Sequence, residues 1–477
     1  MTPSEQTDKT SPDDDTFDVL VIGAGPVGEN LADYVTQGGL SAALIEHDLL
    51  GGECSYYACM PSKALLRPLQ VAEVAGHLPG LTGTTVNSHD LLKRRDAWVS
   101  RYRDTGQMRW AKSAGITVVR GHGELVGRKT VRVTSADGAD RTLTARKAVV
   151  LATGSRAAVP DLYTGLEAWD NRDATGVVEI PRRLIIVGGG VVAVEAATWM
   201  TALGSEVTLL VRGQHLLGRL GAEVEGLSDM IATALTDAGI TLRYGARVTD
   251  ARREAPSATG LGRVHGGEVT LTFDDGQTLV SDELLLATGR TPALEAVGLH
   301  TIGLSPEAAL AGEGPDWLHL IGDAAGQVLL THQGKYRARV LGAALAGQEE
   351  YAPEQEAPVP QVIFSQPQVA QVGLTAPQAT QQGHSVVTSR AAMKEAAGTS
   401  LLSNLNRGFA ELTVDADTGV LLGAVFVGEE AAELLHAATI AVTAQLPVKL
   451  LRHAVPAYPT SSEIWLRLLE KLPRELR

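Results

Sequence analysis

From residue 17 onward, short apolar runs alternate with longer stretches in which apolar and polar positions are interleaved. The run 19–22 leads into a cluster of glycines, an interleaved segment, and a second apolar run that stops at Glu46. That order predicts strand, tight turn, helix and strand over 17–48. The same plan returns over 183–212. Between them lie a polar, helix-prone stretch from 71 to about 113 and alternating strand-like runs at 116–119 and 130–133, with Gly121 and Gly123 at a turn. Residues 148–151 read as a strand running into Ala152-Thr153-Gly154-Ser155, and strands from about 269 to 286 run into Ala287-Thr288-Gly289-Arg290. Residues 1–16, with Pro3, Pro12 and Asp13-Asp14-Asp15, read as a disordered tail, and 348–360 as a Pro-rich linker.

The two repeated units carry chemistry in their turns. Gly23, Gly25 and Gly28 form Gly-x-Gly-x-x-Gly directly after a strand, and Glu46 follows at the end of the next one. Glycines there let a pyrophosphate approach a helix N-terminus, and the carboxylate can accept from ribose hydroxyls. In the second unit Gly188 and Gly190 hold the same places, with Ala193 at the third. Two such units imply an α/β protein with two Rossmann-like dinucleotide-binding domains. Where an NAD site would carry an acid at the second strand's end, this chain has Val211-Arg212, with Arg219 in the same loop. Guanidinium groups there suit a 2′-phosphate and favour NADPH over NADH; otherwise they are two solvated arginines.

Composition narrows the class. A chain of 477 residues, 44% apolar and 20% charged, is long enough for about three globular domains. Its formal charge of −14 argues against a nucleic-acid partner. No apolar run is long enough to span a membrane and no secretion signal opens the chain, so a cytoplasmic location is expected. No metal site is expected. The 2 cysteines, Cys54 and Cys59, lie within Gly51-Gly52-Glu-Cys-Ser-Tyr-Tyr-Ala-Cys-Met-Pro-Ser-Lys63. They are either a redox pair or two small buried hydrophobes. Residues five apart in a regular helix rise about 7.5 Å, so a bond between them needs a bent first turn, which Gly51-Gly52 permits.

That segment resembles the redox-active stretch of the class I pyridine nucleotide-disulfide oxidoreductases, the family of dihydrolipoyl dehydrogenase, glutathione reductase and mercuric reductase. The cysteine spacing and the Pro-Ser-Lys ending match, while Tyr56 and Ala58 stand where the family usually has Asn and Gly. The resemblance covers nearly the whole chain after Phe17. It implies an FAD-binding and central domain (17–155 and 287–350), an NAD(P)-binding domain (156–286) and a C-terminal α+β dimerisation domain (351–477), hence a homodimer. It also implies that Gly322-Asp323 closes the FAD site, although Asp323 can equally cap a helix. Gly52, Gly123, Thr153, Gly154 and Gly289 complete the expected cofactor contacts.

By the same resemblance, Cys54 is the thiol that exchanges with substrate and Cys59 the one nearer the flavin. Lys63 and Glu195 fall where the family has a lysine near the flavin and a glutamate on the nicotinamide-site helix. The departure comes at residues 454–465. The family's disulfide reductases carry His-Pro-Thr-x-x-Glu there, the His serving as acid–base; here Pro459, Thr460 and Glu463 match but Tyr458 replaces the His. The expected activity is transfer of electrons from NADPH through FAD and the Cys54–Cys59 disulfide to a small disulfide or other thiol-reactive acceptor. The alternatives are a quinone-type reductase in which the flavin acts directly and a subunit of a dihydrolipoyl dehydrogenase-like complex.

Overall fold

The computed structural model describes residues 15–348 and 358–477. The expected tail and linker lie outside them except at their edges. At the first edge Asp15 accepts from Arg141 at 2.6 Å and Thr16 already begins a strand. The chain forms two compact units. One comprises Met1–Met60, Val99–Arg156 and Arg290–Ala352, the other Pro61–Trp98, Ala157–Gly289 and Pro353–Arg477.

The first unit is built on a mixed sheet. Thr117–Arg120, Ala42–Glu46, Thr16–Ile22, Asp140–Leu151 and Leu318–Leu320 pair in parallel in that order, and Thr130–Thr134 and His122–Gly127 extend it antiparallel from the long Asp140–Leu151 strand. Strand alternation divides its core into two layers. Val19 and Val21 face one cluster with Leu31 and Ala338, and Leu20 and Ile22 face another with Leu125, Val131 and Trp317. Each such side chain, when fully buried, contributes about 1.5–3 kcal/mol. The helices Pro26–Gln37 and Thr331–Leu345 lie against each other through glycines. A Cβ on Gly334 would come within 2.5 Å of Val27, and one on Gly342 within 2.6 Å of Tyr34.

The second unit repeats the plan. Thr241–Tyr244, Glu206–Val211, Arg183–Val187 and Glu283–Leu286 form a parallel sheet, joined in the unit by an antiparallel three-stranded sheet and a five-stranded antiparallel sheet. The five-stranded sheet, in the order Gln361–Ile363, Gln368–Gly373, Leu421–Gly428, Phe409–Asp415 and Val386–Ala392, shares a core with the helices Ala431–Thr443 and Ile464–Lys471. Leu65, Leu66 and Leu91 pack with Val194, Ile363 and Val427 in another cluster, so residues 61–98 belong to this unit's core. The fold is mixed α/β, as the repeated units predict. Among the described residues no helix is long and apolar enough to cross a membrane.

Candidate active site

In the first unit the glycine turn is stripped to backbone. Gly23 has φ +100°, and a Cβ there would lie 2.4 Å from the Ala152 carbonyl oxygen; one on Gly28 would lie 2.0 Å from the Gly23 oxygen. Gly52, at φ +55°, brings its Cα side against Gly25, a contact of 2.7 Å for any added Cβ. The helix Pro26–Gln37 starts from Gly25 with no side-chain cap, leaving its first N–H groups free for an anion. Glu46, buried at the strand end, accepts from the Ala24 and Asp48 amides, both at 2.8 Å, which fixes its carboxylate beside the turn. This cradle fits the diphosphate and ribose of FAD. Gly123 has a packing role: it lies in His122–Gly127, where a Cβ would press 2.9 Å from Ile45.

The second turn is built the same way. Gly188 has φ +143°, and its Cβ would lie 2.3 Å from the Ala287 oxygen; Gly190 starts the helix Val191–Leu203, again with no side-chain cap. The two Ala-Thr-Gly stretches thus echo each other for one reason: each passes its alanine carbonyl against the first glycine of its own fingerprint. Gly154 (φ +75°) and Gly289 (φ +128°) leave open space beside them, whereas the Thr153 hydroxyl is spent on the Ala293 carbonyl at 2.8 Å. Ala193 is fully buried, small enough to keep helix and strand close. Arg212 is exposed and has no ion-pair partner among the described residues, while Arg219 is paired with Glu223 on its own short helix. Of the two expected phosphate arginines, one is free.

Neither Cys54 nor Cys59 is in a disulfide, and their segment in the first unit is bent where a bond between them would need it. The helix Gly52–Tyr56 ends at Tyr57, and a new helix, Cys59–Gly76, starts two residues later. Cys54 hydrogen-bonds Cys59, and Cys59 Sγ lies 3.5 Å from Thr331 Oγ1. The neighbouring Cys59 and burial push the Cys54 thiol up, while Thr331 and Lys335 pull the other way. Thr331 lies outside every motif that reads from sequence, and nothing in the chain around it signals the contact.

A hydrogen-bonded chain runs from Asp323 toward the cysteines. Ser155 Oγ donates to Asp323 Oδ2 at 2.5 Å, Arg290 donates to Ser155 Oγ and to its carbonyl, both at 2.7 Å, and reaches Glu53 Oε1 at 3.3 Å. Glu53 directly precedes Cys54. Ser155 and Arg290 are the residues that follow the two Ala-Thr-Gly stretches, so their positions were on view although their meeting was not.

In the second unit Lys63 Nζ sits 2.8 Å from Glu195 Oε2. Glu195 is held at its other oxygen by the Phe364 amide at 3.0 Å, the Phe364 carbonyl accepts from Gln70 at 3.3 Å, and the Phe364 ring faces Lys63 at 4.9 Å. Phe364 is a further residue of the site that motif reading passed over. Tyr458 is 78% exposed, and Glu463 only 7%. Glu463 Oε2 is sealed from solvent and has no hydrogen-bond partner among the described residues. The structure does not join Tyr458 to Glu463. The pair therefore lacks the contact that would let a residue at 458 be oriented.

Comparison with known proteins agrees with this construction. Residues 17–331 match the family described as pyridine nucleotide-disulphide oxidoreductase, and 359–468 its dimerisation domain. A dihydrolipoyl dehydrogenase of Chlorobaculum tepidum is 32% identical over 94% of this chain and 95% of its own, and a mercuric reductase of Staphylococcus aureus 29% over 97% and 83%. In fold, the HOCl-induced flavoprotein disulfide reductase RclA of Escherichia coli, solved as a Cu(II) complex, superimposes with a TM-score of 0.81 at 24% identity, covering 96% of this chain and 100% of that one. LpdA of Mycobacterium tuberculosis does so with a TM-score of 0.81 at 22% identity, covering 95% and 99%. Matched over its two dinucleotide turns, its cysteine segment and its C-terminal sheet, the chain belongs to the pyridine nucleotide-disulphide oxidoreductases, FAD-dependent enzymes that work with a pyridine nucleotide.

Proposed function

We propose that this protein is an NADPH-dependent flavoprotein reductase, acting as a cytoplasmic homodimer, whose Cys54–Cys59 pair passes electrons to a small disulfide or another thiol-reactive acceptor. FAD, when bound, accepts hydride from a nicotinamide and delivers an electron pair to a disulfide. Gly23, Gly25, Gly28, Glu46 and Asp323 would hold it, and Gly188, Gly190 and Arg212 the nicotinamide nucleotide. The Lys63–Glu195 pair gives the second unit a fixed cation of the kind that stabilises developing negative charge. The match to the family's dimerisation domain supports the homodimer.

The observation that carries the reading is the meeting of Cys54, Cys59 and Thr331 in the bent segment. In exchange with an acceptor RS–SR′, the Cys54 thiolate attacks one sulfur, forming Cys54–SR and releasing R′S⁻. Cys59 then attacks Cys54, closing the Cys54–Cys59 bond and releasing RS⁻. The acceptor gains two electrons and the dithiol loses them.

A second reading has its own support. The upward push on the Cys54 thiol disfavours its thiolate and a tyrosine stands at 458 in place of an acid–base histidine, both of which favour an acceptor such as a quinone that takes electrons without the dithiol. Steady-state NADPH oxidation with disulfides, a quinone and Hg(II), on wild type and Cys54→Ala, decides between them. Collapse of the best acceptor's turnover in the variant supports the dithiol relay; persistence establishes the direct route.

A further inference from the structure

The longest run of left-handed, non-glycine backbone among the described residues lies against the redox segment. Ser100, Arg101 and Tyr102 have φ of 49°, 50° and 55°, and nowhere else among the described residues do three such residues follow one another. In that conformation Cβ crowds the backbone, so each residue costs free energy, and neither glycine nor asparagine eases the turn. It is closed by the Tyr102 amide on the Val99 carbonyl at 2.8 Å and the Arg103 amide on the Ser100 carbonyl at 3.2 Å. Strain of this kind persists only where the surroundings over-determine it, and it gathers at functional sites.

The turn delivers Tyr102 and Asp104 to the segment that carries the cysteines. The Tyr102 ring stacks on Tyr57, with centroids 5.6 Å apart and planes at 26°, and Tyr57 in turn meets the buried ring of Tyr56 at 6.2 Å. Tyr57 is the residue at which the segment breaks. It closes Gly52–Tyr56 with φ −130° and its amide on the Glu53 carbonyl, and Cys59–Gly76 starts two residues later. On the other side Asp104 accepts from the Leu50 amide at 3.0 Å, and Arg120 ties Asp104 to the Asp48 carbonyl. The segment is thus held before Cys54 at Leu50 and after it at Tyr57, all within the first unit.

We propose that Tyr102 is a positioning residue for the dithiol: its stack on Tyr57 holds the break that keeps Cys54 and Cys59 within bonding reach, and the left-handed turn places that ring. This rests on the reading of the pair as a redox disulfide. Residues five apart in a regular helix rise about 7.5 Å, beyond the reach of a disulfide. The bonded state therefore requires the bend, whereas a dithiol is free to straighten. A contact that keeps the dithiol bent moves the equilibrium toward the disulfide, and its loss lets the dithiol relax.

The test uses the flavin-loaded protein with neither NADPH nor acceptor. Wild type, Tyr102→Leu, Tyr102→Phe, Tyr57→Leu and the double leucine variant are equilibrated anaerobically with mixtures of reduced and oxidised dithiothreitol. The protein disulfide takes two electrons and two protons from dithiothreitol, which closes its own disulfide. Samples are quenched in acid, trapped with N-ethylmaleimide, and the cysteine peptide is read by mass spectrometry. Tyr102→Leu is expected to lower the ratio of disulfide to dithiol about threefold to tenfold, the range that one aromatic pair supports. Tyr102→Phe keeps the ring and should hold the wild-type ratio. Tyr57→Leu reads the same contact from the other side, and stands in should Tyr102→Leu not fold. It should give the same shift, and the double variant should add little to either single one. Leucine variants that lower Tm but keep the wild-type ratio, or single effects that multiply in the double variant, overturn the proposal. A wild type that forms no disulfide at any dithiothreitol ratio is a different result: it overturns the relay, and this proposal with it.

Discussion

Tyr458→His is the most informative single change. Tyr458 is 78% exposed, so replacing it disturbs little packing, and its effect on stability should lie within about 0.5 kcal/mol. Its effect on exchange should be large. An ordinary thiol with pKa near 8.5 is about 3% ionised at neutral pH, and Cys54 is pushed above that by Cys59 and by burial. By the resemblance of residues 454–465 to the family's His-Pro-Thr-x-x-Glu, an imidazole at 458 would supply the acid–base group that exchange lacks. A positioned acid–base group typically gives ~10²–10⁴ in rate. Among the described residues Glu463 Oε2 has no hydrogen-bond partner, so it is open to accept from an imidazole that reaches it. We therefore expect kcat/KM for lipoamide or glutathione disulfide to rise about 100-fold, followed as NADPH oxidation. Tyr458→Phe should give no gain, and adding Glu463→Gln should remove most of it. If Tyr458→His is no faster than the wild type, Glu463 is not poised to orient residue 458 and the link from the missing histidine to slow exchange is refuted.

Four further outcomes follow. Gly28→Ala would place a Cβ 2.0 Å from the Gly23 oxygen, so the purified variant should carry less than about half the flavin of the wild type, read from its absorbance, and lose about 1–3 kcal/mol of stability. Lys63→Met leaves the buried Glu195 without its cation; with Lys63 one-third exposed, the full cost of breaking a buried pair is reduced to about 1–3 kcal/mol, seen as a lower Tm that Glu195→Gln partly restores. Arg212→Ala should raise KM for NADPH about tenfold and leave that for NADH unchanged; equal effects on both would remove the basis for an NADPH preference. Asp415 is held down to about 2 by the Thr418 amide first and His384 next, so its folded value lies below its unfolded one. The stability it supplies is complete above about pH 4 and is lost as the pH falls toward 2, and Asp415→Asn should flatten chemical-denaturation stability over that window.

The parts of this protein that read from sequence are those whose requirement is local. Gly23 and Gly188 must be glycine because a carbonyl from the following Ala-Thr-Gly strand end lies where a Cβ would go, and a short apolar strand before each makes the pattern visible. The break between Gly52–Tyr56 and Cys59–Gly76 falls where a Cys54–Cys59 bond would need a bend, next to the Gly51-Gly52 pair that permits it. What did not read is what depends on side chains meeting from afar. Thr331 reaches Cys59 across 272 residues, and Phe364 anchors Glu195 across 169. Neither partner carries a pattern of its own, because one hydroxyl or one amide at the right distance leaves no periodicity. Arg219 shows the converse: its position suggested a phosphate ligand, and a local ion pair with Glu223, one helical turn on, already engages it.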